Sequence, residues 1–125
     1  MRKGVRSLLL NRADVLVCAE AVDGRDAIER ALKCQPDLII LDLTMPVMGG
    51  FDAARTLRRI LPEVPIIFFS MHEGGQLIKD AKELGVQGFV CKTESSDTLL
   101  RAIEAILDHR TTFFPDSPQR SAVLA

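Results

Sequence analysis

The sequence predicts an α/β fold in which helices cover both faces of a parallel sheet. Helix-like and strand-like segments alternate along the chain with short breaks between them. Two of the strand-like segments, 37–43 and 64–70, are apolar almost throughout, as expected for strands with helices on both faces. The chain has 125 residues, 47% of them hydrophobic, which suits a single domain with its own core.

Taken in chain order, the segments give four strands and five helices. Residues 2–11 carry apolar side chains at helical spacing, and 14–21 form the first strand candidate. Pro36 and Pro62 each end the helical segment before them, and Gly85 suits the end of another helix. The remaining helices are predicted at 24–34, 49–61, 74–85 and 96–108, and the remaining strands at 37–43, 64–70 and 86–92.

The predicted domain covers residues 1–114. Residues 115–125 contain two prolines and show little periodicity, so we expect a C-terminal tail or linker with a mobile end.

Composition and charge argue against several classes of protein. The net charge is −1, from 16 basic and 17 acidic residues, and no basic stripe with interleaved aromatic residues predicts nucleic-acid contact by this chain itself. The apolar runs are too short to cross a membrane. Three cysteines at wide spacings, with no CxxC pair, indicate reduced thiols in a cytoplasmic protein and no zinc site.

Polar residues end three successive strand candidates, at the sheet edge where parallel α/β proteins collect their functional groups. Asp42 ends the strand after Pro36, Ser70 ends the next strand and Lys92 ends the last. A carboxylate can attack a phosphoryl group to give an aspartyl phosphate, and a cation and a hydroxyl can stabilise the charge on the phosphoryl oxygens. The turn after Asp42 can offer the backbone carbonyl of Thr44 to Mg²⁺.

Each of these residues also has a purely structural interpretation. An aspartate at a strand end often caps the following helix, a serine there is commonly a turn residue, and a single lysine is usually only solvated. The combination at three consecutive strand ends is what favours a phosphoryl site.

Three motifs carry a resemblance to the receiver domain of two-component response regulators, most of all to the NarL/LuxR-type subfamily. The segment LDLTMPVMGG resembles the phosphoacceptor motif, with Asp42 as the acceptor. PIIFFS resembles the strand that ends in the switch hydroxyl, Ser70. GFVCK resembles the strand that ends in the active-site lysine, Lys92, with Phe89 at the aromatic switch position.

The resemblance implies the flavodoxin-like, doubly wound receiver fold. It also implies that a sensor histidine kinase phosphorylates Asp42 with the help of Mg²⁺, and that the domain is not itself an enzyme. Ser70 would then move toward the phosphate and Phe89 would rotate inward, which biases a two-state element and controls an output, usually transcription.

One departure from the family pattern affects the metal site. Members begin with a strand followed by two acidic residues that bind magnesium, whereas the first acidic residue here is Asp14, beyond the first helix. The predicted fold is therefore a receiver without its first strand and acidic pair, and we expect weak Mg²⁺ binding and impaired phosphotransfer.

The absent strand belongs between the strands at 14–21 and 37–43, and an open gap there would be unfavourable. The sequence predicts two ways to close this gap. The strands at 14–21 and 37–43 could pair directly, or a second copy of the chain could fill the gap by strand or helix exchange, giving a homodimer.

Two other functions stay open. A degenerate receiver would act as a protein-interaction module without taking phosphate. A haloacid-dehalogenase-type phosphatase also uses an aspartate after a strand, but it needs a second acid at the position of Thr44 and a cap domain.

Overall fold

A parallel sheet of five strands forms the centre of the molecule in the computed structural model, which describes residues 15–43, 48–71, 75–91, 96–110 and 120–124. Four helices accompany the strands in the described residues. The elements in chain order are β1 (Val15–Glu20), α1 (Gly24–Cys34), β2 (Leu38–Asp42), α2 (Gly50–Ile60), β3 (Ile66–Ser70), α3 (Gly75–Leu84), β4 (Gly88–Cys91), α4 (Ser96–Arg110) and β5 (Arg120–Leu124). The α/β class and the doubly wound architecture are confirmed.

Local capping interactions define ends of α1 and α3. Asp23 caps α1, because its carboxylate accepts a hydrogen bond of 2.8 Å from the backbone N–H of Asp26. Gln35 ends α1 in the left-handed conformation (φ 52°) and donates its N–H to the carbonyl of Ala31. Gly85 ends α3 in the same way with φ 91°, as its position in the sequence predicts.

The core has two layers, one on each face of the sheet. On one face, α1, α2 and α3 cover buried side chains of the strands, among them Ile39, Leu41, Ile66, Phe68 and Val123. On the other face, Leu99, Ile103 and Leu107 of α4 cover Leu38, Ile40, Ile67, Val90, Ala122 and Leu124. Both faces are therefore apolar, which explains why the strands read as nearly continuous apolar runs.

The strand order is β1-β5-β2-β3-β4, and all neighbouring pairs are parallel. The last strand in the sequence thus lies in the interior of the sheet, between β1 and β2. Leu124 lies opposite Glu20 on one side and Ile40 on the other. Ala122, Val123 and Leu124 are buried.

Three sequence predictions need correction here. The count of four strands is wrong, because β5 adds a fifth among the described residues. The mobile end predicted within 115–125 is wrong for Arg120–Leu124, because this segment pairs with a strand on each side and buries apolar side chains. The predicted direct pairing of β1 with β2 is wrong, because β5 separates them.

Other predictions fall outside the described residues. The helix predicted at 2–11 is one of them, so the five-helix count stays a prediction beside the four helices described. The boundary between the domain at 1–114 and the segment 115–125 also lies there and stays a prediction.

Candidate functional site

Asp42 is the last residue of β2 and lies at the carboxyl edge of the sheet. The four residues before it, 38–41, are fully buried, whereas the side chain of Asp42 is only half-buried. Asp42 is therefore the first position on this strand from which a side chain can reach both the protein interior and a partner outside. Its place at the end of an interior strand fixes the backbone of the candidate acceptor.

Two helix N-termini meet the loop that follows Asp42. The N–H of Gly50, at the start of α2, donates to the carbonyl of Leu43 at 3.3 Å. The N–H of Gly24, at the start of α1, donates to the carbonyl of Met48 at 3.1 Å. Because the N-terminus of a helix carries partial positive charge, both helices direct a favourable dipole toward this loop.

Both positions require glycine because the backbones approach so closely. A Cβ atom on Gly50 would lie 2.6 Å from the carbonyl oxygen of Asp42, and one on Gly24 would collide with the carbonyl oxygen of Met48. Gly50, in the motif LDLTMPVMGG, thus allows α2 to approach the end of the strand that carries Asp42, and Gly24 allows α1 to approach Met48.

Ser70 ends β3, the strand next to β2. Asp42 lies opposite Phe69, so Ser70 stands one residue further along the same edge. Its side chain is only 1% exposed. The structure thus places the hydroxyl-bearing residue Ser70 on the strand beside the one that ends in Asp42, one residue further along the carboxyl edge.

The predicted lysine and metal-binding carbonyl lie outside the described residues. Cys91 ends β4 and pairs with Ser70, and Lys92 follows Cys91 directly in the chain. Thr44 lies two residues after Asp42. The structure thus brings the strand ends of Asp42, Ser70 and Cys91 to one edge in the predicted order.

Phe89, at the predicted switch position, belongs to a row of three aromatic rings. Its ring meets that of Phe68 edge to face, with centroids 6.4 Å apart and planes at 78°. Phe68 in turn contacts Phe51 of α2 at a centroid distance of 5.0 Å. The row runs from the helix after the acceptor loop to the switch residue on β4.

Sequence reasoning missed this row. Phe51 and Phe68 were identifiable only as core residues, since their spacing in the chain contains no information about ring contacts. Beside Phe89 lies a cavity of about 230 Å³ between α3 and β4, with Ile78, Ala81 and Val86 in its lining.

The described residues provide few ligands for a metal ion. Within them, no group of three or more His, Cys, Asp or Glu side chains is arranged to hold one. Glu20 ends β1, but β5 separates it from β2, a distance of about 9–10 Å across two strand spacings. The described residues of β5 from Ala122 to Leu124 are apolar and bring no carboxylate to the edge beside Asp42.

A model of the response regulator receiver domain family matches residues 1–104 of this chain. The chain belongs to the response regulator receiver domains. This match confirms the recognition of the family from the sequence. The roles assigned to Asp42, Ser70 and Phe89 from the family motifs stay predictions.

A solved relative has the same fold over most of both chains. It is a two-component response regulator of the LuxR family from Aurantimonas sp. SI85-9A1, 37% identical, and the match covers 92% of this chain and 82% of that one with a TM-score of 0.83. The assignment to the LuxR/NarL-type relatives of the family agrees with this similarity.

Curated relatives of this receiver domain are longer proteins. The transcriptional regulatory protein LnrK of Bacillus subtilis is 32% identical over 106 residues, which is 85% of this chain and 48% of that protein. A protein-glutamate methylesterase/protein-glutamine glutaminase of Methanosarcina acetivorans is 34% identical over 94% of this chain and 34% of its own length. The chain thus spans between a third and a half of these relatives.

No helix among the described residues of this receiver is long and apolar enough to cross a membrane.

Proposed function

We propose that this receiver takes a phosphoryl group on Asp42 from a sensor histidine kinase in the cytoplasm and controls an output, most simply transcription. The observation that supports this proposal is the common edge formed by the ends of β2, β3 and β4, with Asp42 and Ser70 on adjacent strands. A transcriptional output is supported by the similarity to the transcriptional regulatory protein LnrK, of which this chain matches 48%.

The transfer itself requires one new bond and one broken bond. An oxygen of the Asp42 carboxylate attacks the phosphorus of a phosphohistidine, and a P–O bond forms as the P–N bond breaks. The electron pair of the broken bond goes to the imidazole nitrogen, which takes up a proton. The product is an acyl phosphate, and the protein contributes mainly positioning and charge stabilisation.

Ser70 and Lys92 act on the phosphoryl oxygens in this proposal. The hydroxyl of Ser70 donates a hydrogen bond to one oxygen, and the ammonium group of Lys92 pairs with another. The N-termini of α1 and α2 add partial positive charge at the acceptor loop. Mg²⁺ would be held by Asp42 and the carbonyl of Thr44, and its role when bound is to neutralise phosphoryl charge.

The response to phosphorylation is proposed to pass through Ser70 and Phe89. When Ser70 moves toward the phosphate, space opens beside β3, and Phe89 turns inward from its edge-to-face contact with Phe68. The face formed by α3, β4 and α4 then changes shape and meets its partners. Phosphorylation thus shifts the populations of two states of this face.

Intact-mass measurement tests the proposal directly. The purified chain is incubated with a small phosphodonor and Mg²⁺, and one phosphate-sized mass gain is expected. Asp42→Asn is the matched variant, because it keeps the size of the side chain and removes the nucleophile. A mass gain that survives in Asp42→Asn, or its absence from the unchanged chain, would contradict phosphorylation at Asp42.

We keep one second candidate, a degenerate receiver that acts by binding other proteins. It is favoured by the apolar character of β5, whose described residues supply no carboxylate beside Asp42. Because the described residues contain no group of three or more His, Cys, Asp or Glu side chains that could hold a metal, this candidate predicts a Mg²⁺ affinity far below that of a receiver with an acidic pair beside its acceptor. Calorimetric titration with Mg²⁺ discriminates the two, since ordinary receiver-like affinity would remove the reason for the second candidate.

Enzyme activity is not part of the proposal. The methylesterase relative matches this chain over 34% of its own length, so its name describes a protein about three times as long as the shared part. A phosphatase of the haloacid-dehalogenase type is disfavoured by Thr44, which stands where that chemistry needs an acid. The chain itself is proposed to make no contact with nucleic acid.

A further inference from the structure

An open groove lies between α2 and α3. Its volume is about 650 Å³, and its lining includes the apolar side chains of Phe51, Leu77 and Leu84. All three side chains are only partly buried, so the groove leaves some of their apolar surface in contact with water. Concave sites of this size that combine apolar surface with a few polar groups are typical of sites that bind other molecules.

The charged residues that line the groove are mostly acidic. Asp80 and Glu83 lie one turn apart on α3, and Asp52 lies on α2. Arg55 of α2 is the cation in the described part of the lining. Three carboxylates against one guanidinium give this part of the groove an excess of negative charge, which attracts cationic groups.

The bonds that these carboxylates already make leave them able to bind a further cation. The Nη1 atom of Arg55 lies 2.6 Å from Oδ1 of Asp52, with both side chains more than 60% exposed. An ion pair so exposed adds little stability, so an incoming cation can replace Arg55. Asp80 accepts a hydrogen bond of 2.8 Å from the neutral amide of Gln76, which leaves its negative charge in place.

The two sides of α3 differ in charge. Lys82 lines the cavity beside Phe89, on the side toward β4. Asp80 and Glu83 line the groove on the side toward α2. The groove therefore lies across α3 from the surface that we propose to respond to phosphorylation, and its charge selects a different kind of partner.

We propose that the groove between α2 and α3 docks a basic amphipathic segment of a partner protein. Apolar side chains of the segment cover Phe51, Leu77 and Leu84, as amphipathic helices do in apolar grooves. Lysine or arginine side chains beside them pair with Asp80 and Glu83, so that charge complementarity excludes acidic segments. The proposal concerns a surface away from the acceptor and does not rest on phosphorylation of Asp42.

Fluorine NMR of the full chain tests the docking. The protein is labelled with fluorophenylalanine and titrated with a synthetic amphipathic helix of leucine and lysine. Phe51 lines the groove, so its signal should shift and reach saturation as the peptide is added. The signal is assigned by its loss in Phe51→Leu. Phe68, which is 0% exposed and contacts the ring of Phe51, provides a second signal that the peptide cannot touch directly.

Charge variants test the acidic side of the groove. Asp80→Asn combined with Glu83→Gln keeps the size of both side chains and should weaken peptide binding roughly fivefold, as expected for the loss of exposed ion pairs. Glu29→Gln is the matched control, because Glu29 is exposed on α1 and does not line the groove. Asp42→Asn should also leave the affinity unchanged, which separates this proposal from the phosphoacceptor function.

A second pair of variants tests the apolar side. Leu77→Ala should weaken peptide binding several-fold, because it removes apolar surface that the peptide covers. Leu32→Ala makes the same change on α1 at a side chain that is 50% exposed, and it should have no effect on the affinity. Urea unfolding of both variants checks that each is folded before the titration.

Three titration results would overturn the proposal. They are the absence of a saturable shift at Phe51, equal affinity in the Asp80 and Glu83 double variant and in Glu29→Gln, and equal binding of a peptide with glutamate in place of lysine. Two further results would assign the groove to another occupant and overturn the proposal as well. Spermidine that binds as tightly as the peptide would indicate a site for small cations. Dimerisation in sedimentation that shifts the Phe51 signal without peptide would indicate a second copy of the chain.

Discussion

The position of β5 makes a quantitative prediction for Val123→Ala. Val123 is 0% exposed and packs against the helices on one face of the sheet. The substitution removes two carbon atoms from a filled core, at about 0.8 kcal/mol each for lost burial, and the residual cavity adds to this. We expect a loss of about 2 kcal/mol in the free energy of unfolding.

Val22→Ala is the matched control for this substitution. Val22 undergoes the same chemical change but is 57% exposed, so we expect its effect to stay within about 0.5 kcal/mol. Urea unfolding followed by circular dichroism measures both variants. With a slope of about 2 kcal/mol per molar urea, Val123→Ala should lower the midpoint by about 1 M and leave the slope unchanged.

Equal midpoints for the two variants would refute the reasoning, because β5 would then not be part of the folded core in solution. Fast amide exchange at Val123, at the rate of an unstructured peptide, would do the same, since an interior strand protects its amides to the level of global unfolding. Either result would indicate that residues 120–124 form a tail in solution, as the sequence predicts, and not a strand of the sheet.

Two further predictions concern the acceptor loop and its neighbouring helix. Gly50→Ala should lower the free energy of unfolding by about 1–3 kcal/mol, because the added Cβ would meet the carbonyl of Asp42. Gly75→Ala is the control: no heavy atom lies within 4 Å of its added Cβ, so it should be neutral or slightly stabilising in the same urea assay. Similar losses of stability in both variants would disprove the close approach at Gly50. The backbone N–H of Val22, and then the Arg30 side chain, hold the pKa of Asp26 below its usual value. The stabilising contribution of Asp26 is therefore present above the unfolded-state pKa and is lost as pH falls through the lower folded-state pKa. An NMR titration should show this low pKa and its rise in Arg30→Gln, and an unchanged pKa in that variant would exclude the Arg30 contribution.

Much of the fold followed from local patterns. Leu38–Asp42 and Ile66–Ser70 lie within two residues of the strand limits predicted from their apolar runs, because both faces of these strands are covered. The ends of α1 and α3 fell where a proline and a glycine required them. Asp42 and Ser70 came to one edge because parallel strands share their carboxyl ends, a rule that needs no tertiary information.

The strand Arg120–Leu124 could not be predicted in the same way. Five residues after two prolines give no usable period, and both faces are buried, so no alternation of polar and apolar residues marks the strand. Its assignment depends on partners as far as 105 residues away, such as Val15 opposite Arg120, and tertiary pairing decides such short segments more than local propensity does. The row of Phe51, Phe68 and Phe89 was missed for a similar reason.

The direction of β5 determines where a fused module would sit. β5 begins with Arg120 at the amino edge of the sheet, because it runs parallel to its neighbours. β5 carries the chain across roughly 16 Å of sheet to the opposite edge. A reporter joined after Leu124 therefore departs at the carboxyl edge of the sheet, from the strand next to β2, so its bulk would lie on the same side of the molecule as the proposed acceptor Asp42.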